Sequence, residues 1–264
     1  MSIHIFTTVV KFSPIPPLFG CAAGGVKVKN FSDQGFPLAN DDIYLDMNTQ
    51  ASTQWDGLLH VGNTKAGTFY NGVKGPNAVG HLGIHHMARR GITARAILLD
   101  WKAYADANNI EYDYRTYKVT LQDLNNVIAA DKIAIKPGDI LMIRTGWIEW
   151  YETADEATCK ELASTHAPTC LGVDPSEDIL EWIWDSQFAA VSADCPSFEV
   201  YPPTTRFIHE DLLGSFGCPI GEFFDLQRLA KRLKQLGRHA CLLTSAPLNR
   251  FGGVASPANV TAVI

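Results

Sequence analysis

Short apolar runs alternate with amphipathic stretches along most of this chain. Residues 95–99, 140–144, 189–193 and 240–244 are nearly uninterrupted Ala, Val, Ile and Leu, the pattern of strands buried on both faces. Residues 43–47 read as another strand, and 77–90 as a helix. After Thr120, a residue able to cap a helix, Leu121, Leu124, Val127 and Ile128 recur at helical spacing to about residue 130. Lys136-Pro-Gly-Asp139 is a turn signal. Asp174-Pro175-Ser-Glu177 opens a helix that carries Ile179, Leu180, Trp182, Ile183 and Trp184. Residues 223–236 form an amphipathic helix stopped by Gly237. This alternation predicts an α/β protein with a mixed sheet and helices packed outside it. Residues 1–35 break the rhythm with Pro14, Pro16, Pro17 and a Gly24-Gly25 pair. They read as an irregular arm ahead of one domain spanning 36–264.

The polar positions are most informative between Asn48 and His60. Gln50, Gln54, Asp56 and His60 stand an even number of residues apart, so an extended backbone would project all four to one face. Trp55 and Leu59 lie among them. Two readings fit: a polar surface strand ending at Gly57, or a pocket gathering amide, carboxylate and imidazole groups.

Composition narrows the classes. At 264 residues with 46% hydrophobic and 19% charged positions, the chain can bury a large core. A net charge of -6 argues against general nucleic-acid binding, and 228–238, the densest basic stretch, reads as a solvated helix face. No apolar run is long enough to span a bilayer, and the start lacks the pattern of a signal peptide. Cys21, Cys159, Cys170, Cys195, Cys218 and Cys241 are widely spaced with no Cys-x-x-Cys pair. They are expected to be reduced thiols in a cytoplasmic protein.

The Asn48–His60 segment resembles the signature of the cyclase family, which includes kynurenine formamidases and isatin hydrolase. The family pattern His-x-Gly-Thr-His-x-Asp-x-Pro-x-His is matched at Thr53, Asp56 and His60, and departs at Gln50, Ser52, Gln54 and Leu58. A second block is matched by His209, Leu212, Leu213, Gly217 and Glu222. Residues 91–100 and 136–147 resemble the family's inner strands, and Ser52-Thr-Gln-Trp-Asp-Gly57 is similar to a fungal branch. The resemblance spans roughly residues 40–250. It implies a twisted, barrel-like β/β/α core assembled as a homo-oligomer, a dimer or tetramer.

The resemblance also implies a metal-dependent enzyme, with Asp56, His60, His209 and Glu222 as catalytic groups. The family's first metal site would fall on Gln50, Gln54 and Asp56, a weak set because amides bind metal poorly beside imidazole. The second, Asp56, His209 and Glu222, is intact. The expectation is therefore none or one divalent ion (Zn, Mn or Fe), and a small-molecule substrate containing a carbonyl, aromatic or polyketide-like. Hydrolysis of an amide or lactone C–N or C–O bond is the leading reaction. Metal-independent acid–base cyclisation, dehydration or isomerisation in secondary metabolism is the alternative, and a catalytically dead scaffold is the third.

Gln50, Gln54, Trp55, Tyr70, Asn71 and Asp194 are candidate substrate contacts. Asp194 equally fits a strand-end turn, and Asn71-Gly72 fits turn chemistry alone. Cys195 reads as a buried thiol rather than a nucleophile. His81 and His85 have the spacing of a metal pair but lack the acidic partner of a zincin motif, which favours packing roles.

Overall fold

A computed structural model of the chain describes residues 2–5, 26–44, 47–75, 77–164, 169–203 and 206–264. Its centre is a nine-stranded mixed sheet. In spatial order the strands are Ser2–Ile5, Val260–Val263, Ala240–Ser245, Ile92–Leu99, Ile140–Ile143, Ala190–Ala193, Ile220–Glu222, Gln54–Asp56 and Ala255–Pro257. The middle four are parallel to one another, and the outer ones pair antiparallel. The helices Trp101–Ala107, Leu121–Asp131, Glu177–Asp185 and Gln227–Gln235 connect them, as parallel pairing requires.

The apolar runs form strands because both sheet faces are covered. Every residue of Ile140–Ile143 and Ala190–Ala193 is buried. Leu99, Leu141, Ile143 and Val191 join one core layer, whereas Leu98, Ile140, Met142 and Ala190 join the other. Helix boundaries follow local chemistry. Thr120 and Asp123 form a reciprocal capping box.

Several expectations are corrected. The helix over 77–90 is two helices, Asn77–Leu82 and His85–Arg90, joined at Gly83. A Cβ at Gly83 would lie 2.5 Å from His85 Nδ1 and 2.7 Å from Gly252 Cα, so this junction has room only for glycine. The helix expected from Asp174 begins at Glu177, with Ser176 at the N-cap position and no side-chain cap hydrogen bond. The one expected from Phe223 begins only at Gln227, because Ile220–Glu222 is drawn into the sheet. Within the stretch read as an irregular arm, Ser2–Ile5 forms an edge strand and Val26–Phe31 pairs with Phe36–Tyr44. Pro14, Pro16, Pro17 and Gly24-Gly25 lie outside the described residues. The strand expected over 43–47 belongs to Phe36–Tyr44, with Met47–Asn48 pairing back on it; residues 45–46 lie outside the described residues. No helix among the described residues is long and apolar enough to cross a membrane.

Gly172 is buried in a short strand beside the Phe198–Val200 segment. A Cβ there would lie 2.3 Å from the Glu199 carbonyl carbon and 2.5 Å from Val200 N. Gly172→Ala is therefore expected to destabilise the protein by about 3 kcal/mol through backbone displacement. A urea midpoint equal to that of the unaltered protein would refute this.

Candidate active site

The antiparallel pairing of Gln54–Asp56 with Ile220–Glu222 builds the floor of the site. Its register sets Glu222 opposite Gln54 and Ile220 opposite Asp56, so Gln54, Asp56 and Glu222 share one face. The strand lasts only from Gln54 to Asp56; Gln50 and His60 arrive on the turns at either end. The even spacing thus works over three strand positions, and turns supply the rest. Helical residues His209–Asp211 bring His209 across, anchored by fully buried Leu212 and Leu213.

The groups form one connected network. Gln54 Nε2 donates to Gln50 Oε1 at 2.5 Å and to Glu222 Oε2 at 2.7 Å. Gln50 Nε2 donates to Asp56 Oδ1 at 2.6 Å. Phe198 N donates to Glu222 Oε1 at 2.9 Å. His209 Nε2 lies 3.2 Å from Glu222 Oε1 and 3.7 Å from Asp56 Oδ2. The second distance is an ion-pair contact rather than a hydrogen bond. Asp56 Oδ2 and Gln54 Oε1 are buried without hydrogen-bond partners.

Glu199, which the sequence reading missed, is fully buried and grips His209 twice. Its Oε2 is 2.7 Å from His209 Nδ1, and its Oε1 accepts from His209 N at 3.2 Å. The available signal was a carboxylate flanked by apolar Phe198 and Val200, since a charge in such a run needs a buried partner. Asp41 was missed as well. It is buried, with Oδ1 3.5 Å from His60 Nδ1.

Charge is distributed unevenly. Burial pushes the Asp56 carboxyl up, but His60 and His209 beside it, with the Gln50 hydrogen bond, hold it below the usual carboxylate range. Burial and the neighbouring Asp56 charge push Glu222 the other way, above that range. Burial disfavours a charged His209, yet Glu199, together with the nearby carboxylates Asp56 and Glu222, holds the imidazole well above its ordinary value. The two carboxylates are thereby split into one that stays ionised and one that keeps its proton more readily.

Ligand atoms of Asp56, His60 and His209 lie within 4.8 Å of one another, close enough to hold one cation. Gln50 and Gln54 could add only weakly binding amide oxygens to that set, and Gln50 Oε1 already accepts from Gln54 Nε2.

The sequence profile of the Cyclase family matches residues 6–200. The chain belongs to the Cyclase family. A crystal structure of a novel cyclase superposes with a TM-score of 0.74 at 28% identity, covering 100% of this chain and 88% of the other. Isatin hydrolase A from Labrenzia aggregata, bound to benzyl benzoate, gives 0.61 at 17% identity, covering 99% and 93%. Isatin hydrolase A from Ralstonia solanacearum gives 0.61 at 17%, covering 100% and 92%. These last two share the fold. No curated protein matches the sequence.

In this Cyclase-family chain the remaining candidates fall away from the network. Trp55 points to the opposite face of its strand, fully buried against Phe224, and donates to Ser245 Oγ at 3.0 Å. It is a core residue, as strand alternation next to Gln54 and Asp56 dictates. Tyr70 packs over Gly217, where an added Cβ would sit 2.6 Å from its ring. Asn71 is exposed in a left-handed turn conformation, φ 57°. His85 is buried and its Nδ1 accepts from Gly252 N, a packing role. Cys159, Cys170, Cys195, Cys218 and Cys241 are free thiols, with burial pushing Cys195 well up. An apolar surface cleft of about 310 Å³ between Trp184 and Phe216 lies apart from the carboxylate–imidazole network.

Asp194 ends its strand as a turn anchor. Its Oδ1 accepts from Thr145 N and Oγ1, both at 2.6 Å, and its Oδ2 accepts from Gly146 N at 2.8 Å. Burial pushes its carboxyl up to about 6 against those hydrogen bonds. A folded-state value above the unfolded one means that this group's stabilisation is complete below about pH 4. It is lost as pH rises through about 6, by on the order of 3 kcal/mol. Asp194→Asn should remove that part of the pH dependence, measured by urea unfolding across this range. An unchanged pH profile would sink the assignment.

Proposed function

We propose that the chain is a cyclase-family enzyme that hydrolyses an amide or lactone bond in a small carbonyl compound, with at most one divalent ion bound. The observation that carries this reading is Asp56 Oδ2, which is buried without a hydrogen-bond partner and faces His209 Nε2. An unpartnered buried carboxylate oxygen is costly, and it favours a cation. Asp41, Asp56, Glu199 and Glu222 surround only two imidazoles, His60 and His209. Asp56 and His209, with Glu222 beside them, are a donor set suited to one Zn, Mn or Fe ion, which leaves His60 free. Such an ion, when bound, supplies carbonyl polarisation and a more acidic water.

The protein's own groups have separate tasks. Glu199 accepts a hydrogen bond from His209 Nδ1–H and so turns Nε2 toward Asp56 and Glu222. Gln50 and Gln54 hold Asp56 and Glu222 in place through their amide protons. His60 is the imidazole that reaches solvent, its side chain 13% exposed against 3% for His209. It is therefore the group that passes a proton between substrate and water.

A second reading draws on the amide protons already spent on Asp56 and Glu222 and on the charged state of His209. With the His209 proton lying between the two carboxylates, the cluster can share protons without an ion and so suits dehydration, isomerisation or ring closure. Incubation with a panel of N-formyl arylamines, aryl lactams, lactones and hydroxylated diketones, followed by product mass, separates the two. Ring opening with the gain of one water, or release of formate and free arylamine from an N-formyl substrate, supports hydrolysis. A loss of one water, or a product of unchanged mass, overturns it in favour of the acid–base reading.

A further inference from the structure

His60 enters the site from a turn, so something other than a strand must hold its ring. Its Nδ1 lies 2.6 Å from the Asn40 carbonyl oxygen and 3.5 Å from Asp41 Oδ1. The Asn40 carbonyl, at hydrogen-bond distance, is an acceptor and places the proton on Nδ1, whereas Asp41 Oδ1 and Gln50 Nε2, both at 3.5 Å, are longer contacts. Nε2 is then left as the basic nitrogen. Asp41 is itself fixed from behind. Its Oδ2 accepts from Asn48 Nδ2 at 2.8 Å, and Asn48 Oδ1 accepts from Gln50 N at 2.9 Å. The main chain locks the same pair of segments, with Asn40 N donating to His60 O at 2.7 Å and Asn40 Nδ2 to Leu59 O at 3.1 Å.

The contrast with Asp42 shows that Asp41 has more than a scaffolding part. Successive residues of a strand face opposite ways. Asp42 turns to the backbone and accepts from Val254 N, a fold-holding contact. Asp41 turns to His60 and is only 5% exposed. A carboxylate buried there is costly without partners, and those partners are His60 and the Asn48 amide that aims it.

We propose that Asp41 is a positioning residue that fixes the tautomer and ring orientation of His60, leaving Nε2 to exchange the proton. The inference rests on the proposed role of His60 in proton transfer, but its geometry stands apart from the identity of the substrate. Asn48 belongs to the same device, one step further from the ring.

The test uses the full-length protein labelled with ¹⁵N at histidine, with the His60 signals identified by their loss in His60→Gln. In the unaltered protein, His60 is expected to show a single neutral tautomer, protonated at Nδ1. Asp41→Asn, which keeps the shape and removes the charge, is expected to give mixed tautomers. It should also lower kcat about tenfold with KM within about twofold, the split expected of a group acting through a proton carrier. Asn48→Ala guards against misfolding of the first variant and should shift the same signals less. If both variants fold and leave the His60 signals and kcat unchanged, the Asn40 carbonyl alone holds the ring and the proposal is overturned. If His60→Gln keeps full turnover while Asp41→Asn still mixes the tautomers, the positioning role holds and the proposed use of His60 in catalysis fails.

Discussion

Replacing His60 with alanine is expected to lower kcat/KM by about 10²–10⁴-fold, the range of a lost general acid–base group. The expectation follows from exposure and contact. His209 is enclosed by Asp56, Glu199 and Glu222, and its protons are committed to them. His60 has one nitrogen at the Asn40 carbonyl and an edge that reaches solvent. Stability should change little, because the ring sits on a turn rather than in the apolar core. Steady-state kinetics on the hydrolysed substrate, alongside a thermal melt, decide the matter. Full turnover from a folded His60→Ala protein would remove it from the mechanism, whereas partial rescue by added imidazole would place the loss in proton transfer.

The second large effect concerns the cation. One divalent ion per chain at most is expected, and His209→Ala should abolish its binding. Glu199→Gln should weaken it by about 10- to 100-fold, because an amide cannot hold the ring with the same orientation and basicity. Binding should tighten as pH rises, since the charged His209 must release a proton before Nε2 can bind a metal. Elemental analysis of protein purified without chelator, with calorimetric titration at two pH values, measures all three. Two tightly held ions per chain would contradict the weakness of the Gln50 and Gln54 amides as ligands beside imidazole. Full activity after chelation would shift the mechanism to acid–base catalysis.

Much of the site was legible because strand periodicity is local. Gln54 and Asp56 share a face through backbone geometry alone, and the same rule sends Trp55 into the core. Trp55 is adjacent in sequence to the site residues but opposite in parity, and parity decides its place in the core. Glu222 and His209 were reachable only through resemblance, since 168 positions separate Gln54 from the Glu222 it binds. Tyr70 and Asn71 entered the candidate site through resemblance to a fungal-branch block, whereas the fold uses them for packing over Gly217 and for a turn.

The amino-acid sequence by itself determined the buried strands, the helix capped at Thr120 and a polar face at Gln54 and Asp56, because burial pattern and capping act over a few residues. The tertiary structure alone decided where the helix after Phe223 begins, and that residues 2–5 and 26–31 pair as strands. It alone set Glu199 behind His209 and Asp41 behind His60. Those pairings depend on segments meeting across the sheet, and a carboxylate's partner is chosen by whichever imidazole the fold buries beside it. The balance between an ionised Asp56 and a proton-keeping Glu222 is of the same kind. Identical carboxyl chemistry is split by burial and by distance to the two imidazoles, quantities that exist only once the chain has folded.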